Sequence, residues 1–212
     1  MMLMLFAFSI IQAIISLLAG ASGAINAIIS QYGYIGIFVL MTLESASMPI
    51  PSEVVLPAVG HFVYTGQLNI YIAVIDVLLA SLAGYMIDYA IAYYVGKEVV
   101  YKHLGLFRIK KESIDAFDRW FLRNGPFAVF VARLLPGARG LINFPAGFAE
   151  MPLKKFIFYS MVGAFIWEVA LIGFGYYALS TGSLTITAVA IALFLIALYL
   201  IYDYALKRIR KG

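Results

Sequence analysis

Cysteine is absent from the 212 residues, which excludes disulfides, thiolate metal sites and a cysteine nucleophile while leaving the redox compartment open. Charge is scarce, at 12% Asp, Glu, Lys and Arg, where soluble domains carry roughly 25%. The two histidines, His61 and His103, lie far apart, and neither H-E-x-x-H nor G-x-S-x-G occurs. The chain therefore carries neither a zinc-protease helix nor a nucleophile elbow, and we expect no enzyme, metal or cofactor. What remains is 64% hydrophobic with a mean hydropathy of +0.96. That is an integral membrane protein, one domain with a handful of spans of about 20 residues each.

Basic residues are missing from the whole first part of the chain, since no Lys or Arg precedes Lys97. Seven then fall between Lys97 and Arg123, Lys154 and Lys155 follow, and the end carries Lys207, Arg208, Arg210 and Lys211. The net charge of +4 is thus gathered into short segments. These read as topology signals and not as a nucleic-acid footprint, and by the positive-inside rule all three are cytoplasmic. A span from about Tyr71 to Gly96 runs inward, one from Phe156 to about Leu179 runs outward, and one from roughly Thr185 to Leu206 returns. The C-terminus is cytoplasmic. Residues 1–19 are apolar without a basic leader, which argues against a cleaved signal peptide and leaves an extra span or an interfacial helix.

Prolines are few and placed in two apolar stretches that cannot each be one continuous helix. LESASMPIPSEVVLPAVG carries Glu44 and Glu53, and VFVARLLPGARGLINFPAG carries Arg133 and Arg139. Only about 30 residues separate Arg123 from Lys154, enough for a hairpin that dips in and returns but too few for two spans. Residues 126–149 and 44–60 therefore read as re-entrant loops from opposite faces, the latter following a span near 26–43. Irregular backbone at that depth is tolerated only inside protein or along a wet cavity. The halves also align. Glu44, Pro57-Ala58-Val59-Gly60, Gly84 and Asp88 parallel Arg133, Pro145-Ala146-Gly147, Gly163 and Glu168, the pattern of an inverted repeat with a site at its interface.

The expected fold is an all-α polytopic membrane protein with two opposed re-entrant helical hairpins, about four full transmembrane helices and a cytoplasmic amphipathic helix. It divides into an N-terminal apolar helix (1–25), a first repeat (26–96), an amphipathic connector (97–125), a second repeat (126–206) and a basic tail (207–212). The connector, KKESIDAFDRWFLRNGP, sets Ile114, Phe117, Phe121 and Leu122 at helical spacing with Trp120 at headgroup level.

The run YGYIGIFVLMTLESASMPIPSEVVLPAVG, then GYMIDYAIAYYVGK, then FVARLLPGARGLINFPAGFAEM resembles the DedA family of bacterial and archaeal membrane proteins, whose eukaryotic relatives share the VTT domain. The resemblance covers roughly residues 30–180. It implies opposed re-entrant helices and movement of lipid between leaflets, of undecaprenyl phosphate or phospholipid in bacterial members, with dependence on the proton motive force. It also implies functional roles for Glu44, Glu53, Asp88, Arg133 and Arg139. One departure is Lys97 after Gly96, where the family pattern carries arginine.

The chemistry of the residues fits that expectation. A phosphate leaving water needs positive charge and several donors, and arginine offers a planar fork. Arg133 and Arg139 with the Pro136-Gly137 turn between them form the expected substrate clamp for an anionic lipid. Glu44, Glu53, Asp88 and Glu168 are the expected counter-ions or proton relay. A rival transporter reading is a proton-coupled exporter of small solutes or drugs. His61 and the tyrosines near span ends (Tyr32, Tyr34, Tyr64, Tyr101, Tyr159, Tyr204) have ordinary roles as a polar contact and interface anchors. The expected location is a prokaryotic cell membrane. Because the chain lacks cysteine, Lys211→Cys makes a single-thiol reporter. It should react with an impermeant maleimide only after the cytoplasmic face is opened, and labelling of intact cells would reverse the assigned orientation.

Overall fold

The computed structural model describes residues 20, 22–102, 121, 124–135 and 138–180. Every regular element among them is α-helical. A helix over 22–32 (α1) is followed by α2 (Tyr34–Ser45), α3 (Ser52–Tyr64) and α4 (Ile70–Lys102). The second part holds a helix over 124–133 (α5), a single turn α6 (Ala138–Leu141), the short α7 (Asn143–Phe148) and α8 (Leu153–Ser180).

The prolines fix where these helices stop and start. Pro49 and Pro51 lack the N–H that would continue α2, and the Pro51 carbonyl instead accepts from Val54 N and Val55 N at 2.9 and 3.2 Å to open α3. Pro152 does the same for α8, accepting from Lys155 N and Phe156 N at 2.9 and 3.1 Å. Helix α4 is capped by Asn69, whose Oδ1 accepts from Tyr71 N at 2.9 Å, while Asn69 N donates to Tyr34 Oη at 2.7 Å. That last bond joins the start of α2 to the residue just before α4, which ties together the two ends of the first broken segment. The expected span over 26–43 is not one helix. It breaks at Gly33, where φ is +56°, a value that glycine adopts without the steric cost a Cβ would bring.

Two helices, Ile70–Val95 and Leu153–Ala178, are long and apolar enough to cross a bilayer at 26 residues each, or about 39 Å at 1.5 Å per residue. They coincide with two of the expected spans. Their outer faces carry exposed apolar side chains, including Ile72, Ile75, Leu79 and Ile87 on α4 and Phe158, Phe165 and Ile166 on α8. Such a surface is matched by lipid and costly against water. The expected span at 185–206, residues 1–19 of the N-terminal apolar helix, the tail and most of the amphipathic connector lie outside the described residues, and the first part of the connector, 97–102, continues α4. Of the connector's apolar stripe only Phe121 is described, and it is buried in a cluster with Tyr85, Val129 and Phe156.

Packing crosses between the halves. Helix α3 lies chiefly against α8, and α7 against α4, so the second arm of each broken hairpin rests on the long helix of the other half. Glycines mark these contacts. A Cβ on Gly60 would strike the Ile172 carbonyl of α8, and one on Gly147 would meet Ala92 Cβ and the Tyr89 carbonyl of α4 at 2.6 Å. Within each half the first arm closes on its own long helix in a matching way. Gly84 of α4 faces Thr42 and Ser45, and Gly163 of α8 faces Phe130 and Arg133. The four glycines are those that aligned in the sequence.

A methyl group at these crossings has no space, nor has one at Gly175 of α8, whose Cβ position falls on the Pro57 carbonyl of α3, whereas Gly173 on that helix has nothing within 4 Å of its Cβ position. Gly60→Ala and Gly175→Ala should each destabilise the detergent-solubilised protein by about 1–3 kcal/mol or more, with Gly173→Ala leaving the melting temperature unchanged or higher. Equal melting of all three variants would contradict the crossed packing.

Candidate functional site

The tips of the two broken segments meet, and Glu44, Arg133 and Arg139 meet with them. Helix α2 ends in a Schellman-type turn, with Met48 N donating to the Leu43 carbonyl at 3.1 Å and Ser47 in the left-handed region at φ +58°. Glycine is the usual residue there. Serine is retained with a specific bond, its hydroxyl donating to Asp88 Oδ2 at 2.6 Å. On the other side α5 tightens over its last turn, with Leu134 N to the Val131 carbonyl at 3.0 Å, and leaves Arg133 at its inner end. Gly140 of α6 packs against Ser47 with 3.2 Å between its Cβ position and the serine Oγ, which brings the tips into contact.

Arg133 is 1% exposed. One of its terminal nitrogens donates to the Arg139 carbonyl. The other donates to Asn143 Oδ1 at 2.6 Å and Ser160 Oγ at 2.9 Å. The guanidinium lies 3.5 Å from the centroid of the Tyr85 ring, a stacked cation–π contact that holds the group flat without cancelling its charge. Among the described residues its Nε has no hydrogen-bond partner. Arg139 is bound differently, in a direct ion pair with Glu44, and its guanidinium stands 5.6 Å from the Trp167 ring. Among the described residues no carboxylate bonds Arg133.

The acids occupy distinct stations. Asp88 accepts from Ser47 and, at 3.1 Å, from Asn143 Nδ2. Glu168 is 1% exposed, accepts from Ser81 Oγ at 2.6 Å and, among the described residues, has no hydrogen-bond partner for its second oxygen. Glu53 stands apart. It is exposed and lines a cavity of about 410 Å³ with Ser22, Asn26, His61 and Phe174. Ser81, Tyr85 and Asp88 come from the middle of the Ile70–Val95 helix, and Ser160, Gly163 and Glu168 from the middle of the Leu153–Ala178 helix. If both helices cross the bilayer, the cluster sits near its midplane, where an unpaired charge is most costly.

A family model for the VTT domain matches residues 50–177, well over half of the chain. The chain belongs to the VTT domain family. It is similar to undecaprenyl phosphate transporter A of Staphylococcus aureus, 33% identical over 155 residues that span 71% of this chain and 76% of that one. The protein of the same name in Bacillus subtilis is 30% identical over 181 residues, 82% of this chain and 89% of that one. An alkaline phosphatase-like protein of Lactococcus lactis is 33% identical over 157 residues, 70% and 72% of the two chains. No solved structure gives a significant match.

In this VTT-domain protein the structure gathers Arg133, Arg139, Glu44 and Asp88, with Glu168 at the edge beside Trp167. Pro136 and Gly137, the expected turn of the clamp, lie outside the described residues. Sequence reasoning passed over Asn143, Ser47, Ser81, Ser160 and Tyr85. The serines had a signal. Ser81 precedes Gly84 by three residues and Ser160 precedes Gly163 by three, so each long helix presents a hydroxyl one turn before its close-packing glycine. Asn143 carried no such mark, being a single polar residue in an apolar run.

The Glu44–Arg139 pair is buried at both ends, with side-chain exposures of 10% and 7%. Removing one partner strands the other, so Glu44→Leu or Arg139→Met alone should each cost about 3–5 kcal/mol. The paired replacement Glu44→Leu with Arg139→Met should recover most of that loss in melting experiments. Additive losses in the double variant would show that the two side chains are not coupled.

Proposed function

We propose that this protein moves an anionic lipid, a polyprenyl phosphate before other phospholipids, between the leaflets of a prokaryotic cell membrane. The chain then spans the bilayer several times, with the two broken hairpins re-entering from opposite faces and the C-terminus in the cytoplasm. The observation that carries this reading is the buried guanidinium of Arg133, whose bonded partners are all neutral and whose Nε donor is unused. A cation held in that way, away from water and with donors to spare, is a receptor for an anion. The transporters to which the chain is similar carry undecaprenyl phosphate in their names, and that lipid ends in a phosphate monoester able to use the fork.

Arg139 enters the cycle from its pair with Glu44. An arriving phosphate displaces the carboxylate, which takes a proton as it loses its cation, and departure of the lipid restores the pair. Glu53, exposed in its cavity with His61, lies on the path by which protons reach the buried acids, with Asp88 and Glu168 as the further stations. We read the protein as a transporter and not a hydrolase. The hydroxyls of Ser47 and Ser81 bond carboxylates and that of Ser160 accepts from an arginine, so none is paired with a histidine base as an activated nucleophile is.

Purified protein in liposomes should exchange a labelled polyprenyl phosphate between leaflets. Arg133→Ala should reduce the rate about tenfold or more toward the protein-free background, and Arg133→Lys should retain part of it by keeping the charge without the fork. Glu53→Gln should leave melting unchanged and flatten the response to an imposed pH gradient. Absence of exchange in folded wild-type protein would sink the lipid reading and bring forward the export of small solutes.

A further inference from the structure

Asn143 sits between a buried cation and a buried anion. Its Oδ1 accepts from Arg133 at 2.6 Å, and its Nδ2 donates to Asp88 Oδ2 at 3.1 Å and to the Ser45 carbonyl at 3.3 Å. It is 0% exposed, so solvent does not substitute for it. A carboxamide has fixed polarity, an acceptor on one atom and two donors on the other. Here the acceptor meets the cation and the donors meet the anion and a carbonyl, which satisfies each atom with the partner that suits it.

The choice of an amide at this point matters for the charge. A carboxylate in the same place would pair with Arg133 outright, as Glu44 does with Arg139. An apolar side chain would leave Arg133 and Asp88 as two unscreened charges across a gap, drawn to close on each other in a medium of low dielectric. The amide links them and prevents both outcomes. The remaining partners of Arg133 follow the same rule, being a carbonyl, a hydroxyl and an aromatic face. Asp88 is likewise bonded to a hydroxyl and an amide.

We infer that Asn143 is a positioning residue that holds Arg133 in place while keeping its charge for the ligand. The two arginines then differ in duty: Arg139 is neutralised by its own carboxylate at rest, and Arg133 is the standing receptor. This rests on the functional reading above and specifies how that site stays receptive.

The decisive variant exchanges the two groups, Asn143→Asp together with Asp88→Asn. Net charge is conserved and the link between positions 88 and 143 is kept with donor and acceptor exchanged, at the loss of the amide donor to the Ser45 carbonyl, but a carboxylate now bonds Arg133 directly. Binding of farnesyl phosphate to detergent-solubilised protein should weaken about tenfold or more, with the melting temperature close to wild type. If Asn143 only braces the hairpin tips, the exchange keeps its links to Arg133 and to position 88 and binding stays at the wild-type value, which overturns the inference. Should the exchange variant melt far below wild type, Asp88→Asn alone decides. Loss of the neighbouring negative charge should tighten farnesyl phosphate binding about threefold, and weaker or unchanged binding in that folded variant overturns the inference too. Arg133→Ala is measured beside them. If it binds as wild type does, the functional reading falls and this inference with it; if it loses binding while the exchange variant keeps it, only the inference falls.

Discussion

The rest of this structure depends on a guanidinium held deep in protein without a carboxylate. Estimates for an arginine at bilayer depth run from roughly 2.5 to over 10 kcal/mol, and Arg133 meets that cost with a carbonyl, an amide, a hydroxyl and a tyrosine ring. Each of those groups comes from a different place in the chain. Tyr85 lies on α4, Asn143 opens α7 and Ser160 sits on α8, while the Arg139 carbonyl belongs to α6. The geometry of the whole inner region follows from the need to deliver them to one point. The close approaches at Gly84 and Gly163 bring the hairpin arms near enough for such short side chains to reach.

The ion pair beside it obeys a different logic. Glu44 and Arg139 come from the tips of the two broken segments, so their contact reports whether the tips are together. A buried pair of this kind adds little net stability compared with apolar packing, yet it is intolerant of losing one member. It therefore marks the register between the halves. Placing a paired and an unpaired arginine six residues apart gives one site two kinds of positive charge, distinguished by what surrounds them.

Much of this was legible in the sequence, and for physical reasons. The long helices over Ile70–Lys102 and Leu153–Ser180 announced themselves because sustained apolar runs have few alternatives in a bilayer. The two broken segments were visible because proline cannot donate the bond that a continuous helix needs. Arg133, Arg139, Glu44 and Asp88 stood out because charge in such surroundings is costly. What stayed hidden was neutral. Asn143, Ser47 and Tyr85 are ordinary residues whose importance arises only from distance, and no local pattern encodes a contact between positions 47 and 88 or 85 and 133. Glu53 shows the converse, a charge conspicuous in the sequence that the fold leaves exposed beside a separate cavity. The break at Gly33 was legible as a glycine but not as a left-handed turn, since glycine is also common inside membrane helices.

The crossed packing has a consequence for biosynthesis. Because α3 rests on α8, the surface around Gly60 finds its partner only when Ile172 and its neighbours have been made. More than a hundred residues separate the two, which at ribosomal speed is a wait of about 6–20 s. During that interval α3 exists without the helix that covers it, its apolar face and proline-broken backbone unpartnered by α8. The second half, by contrast, emerges onto a finished α4 and can dock α7 at once. Two arms that are near equivalents in the finished molecule thus have unequal histories, and the earlier one is the more exposed to quality control.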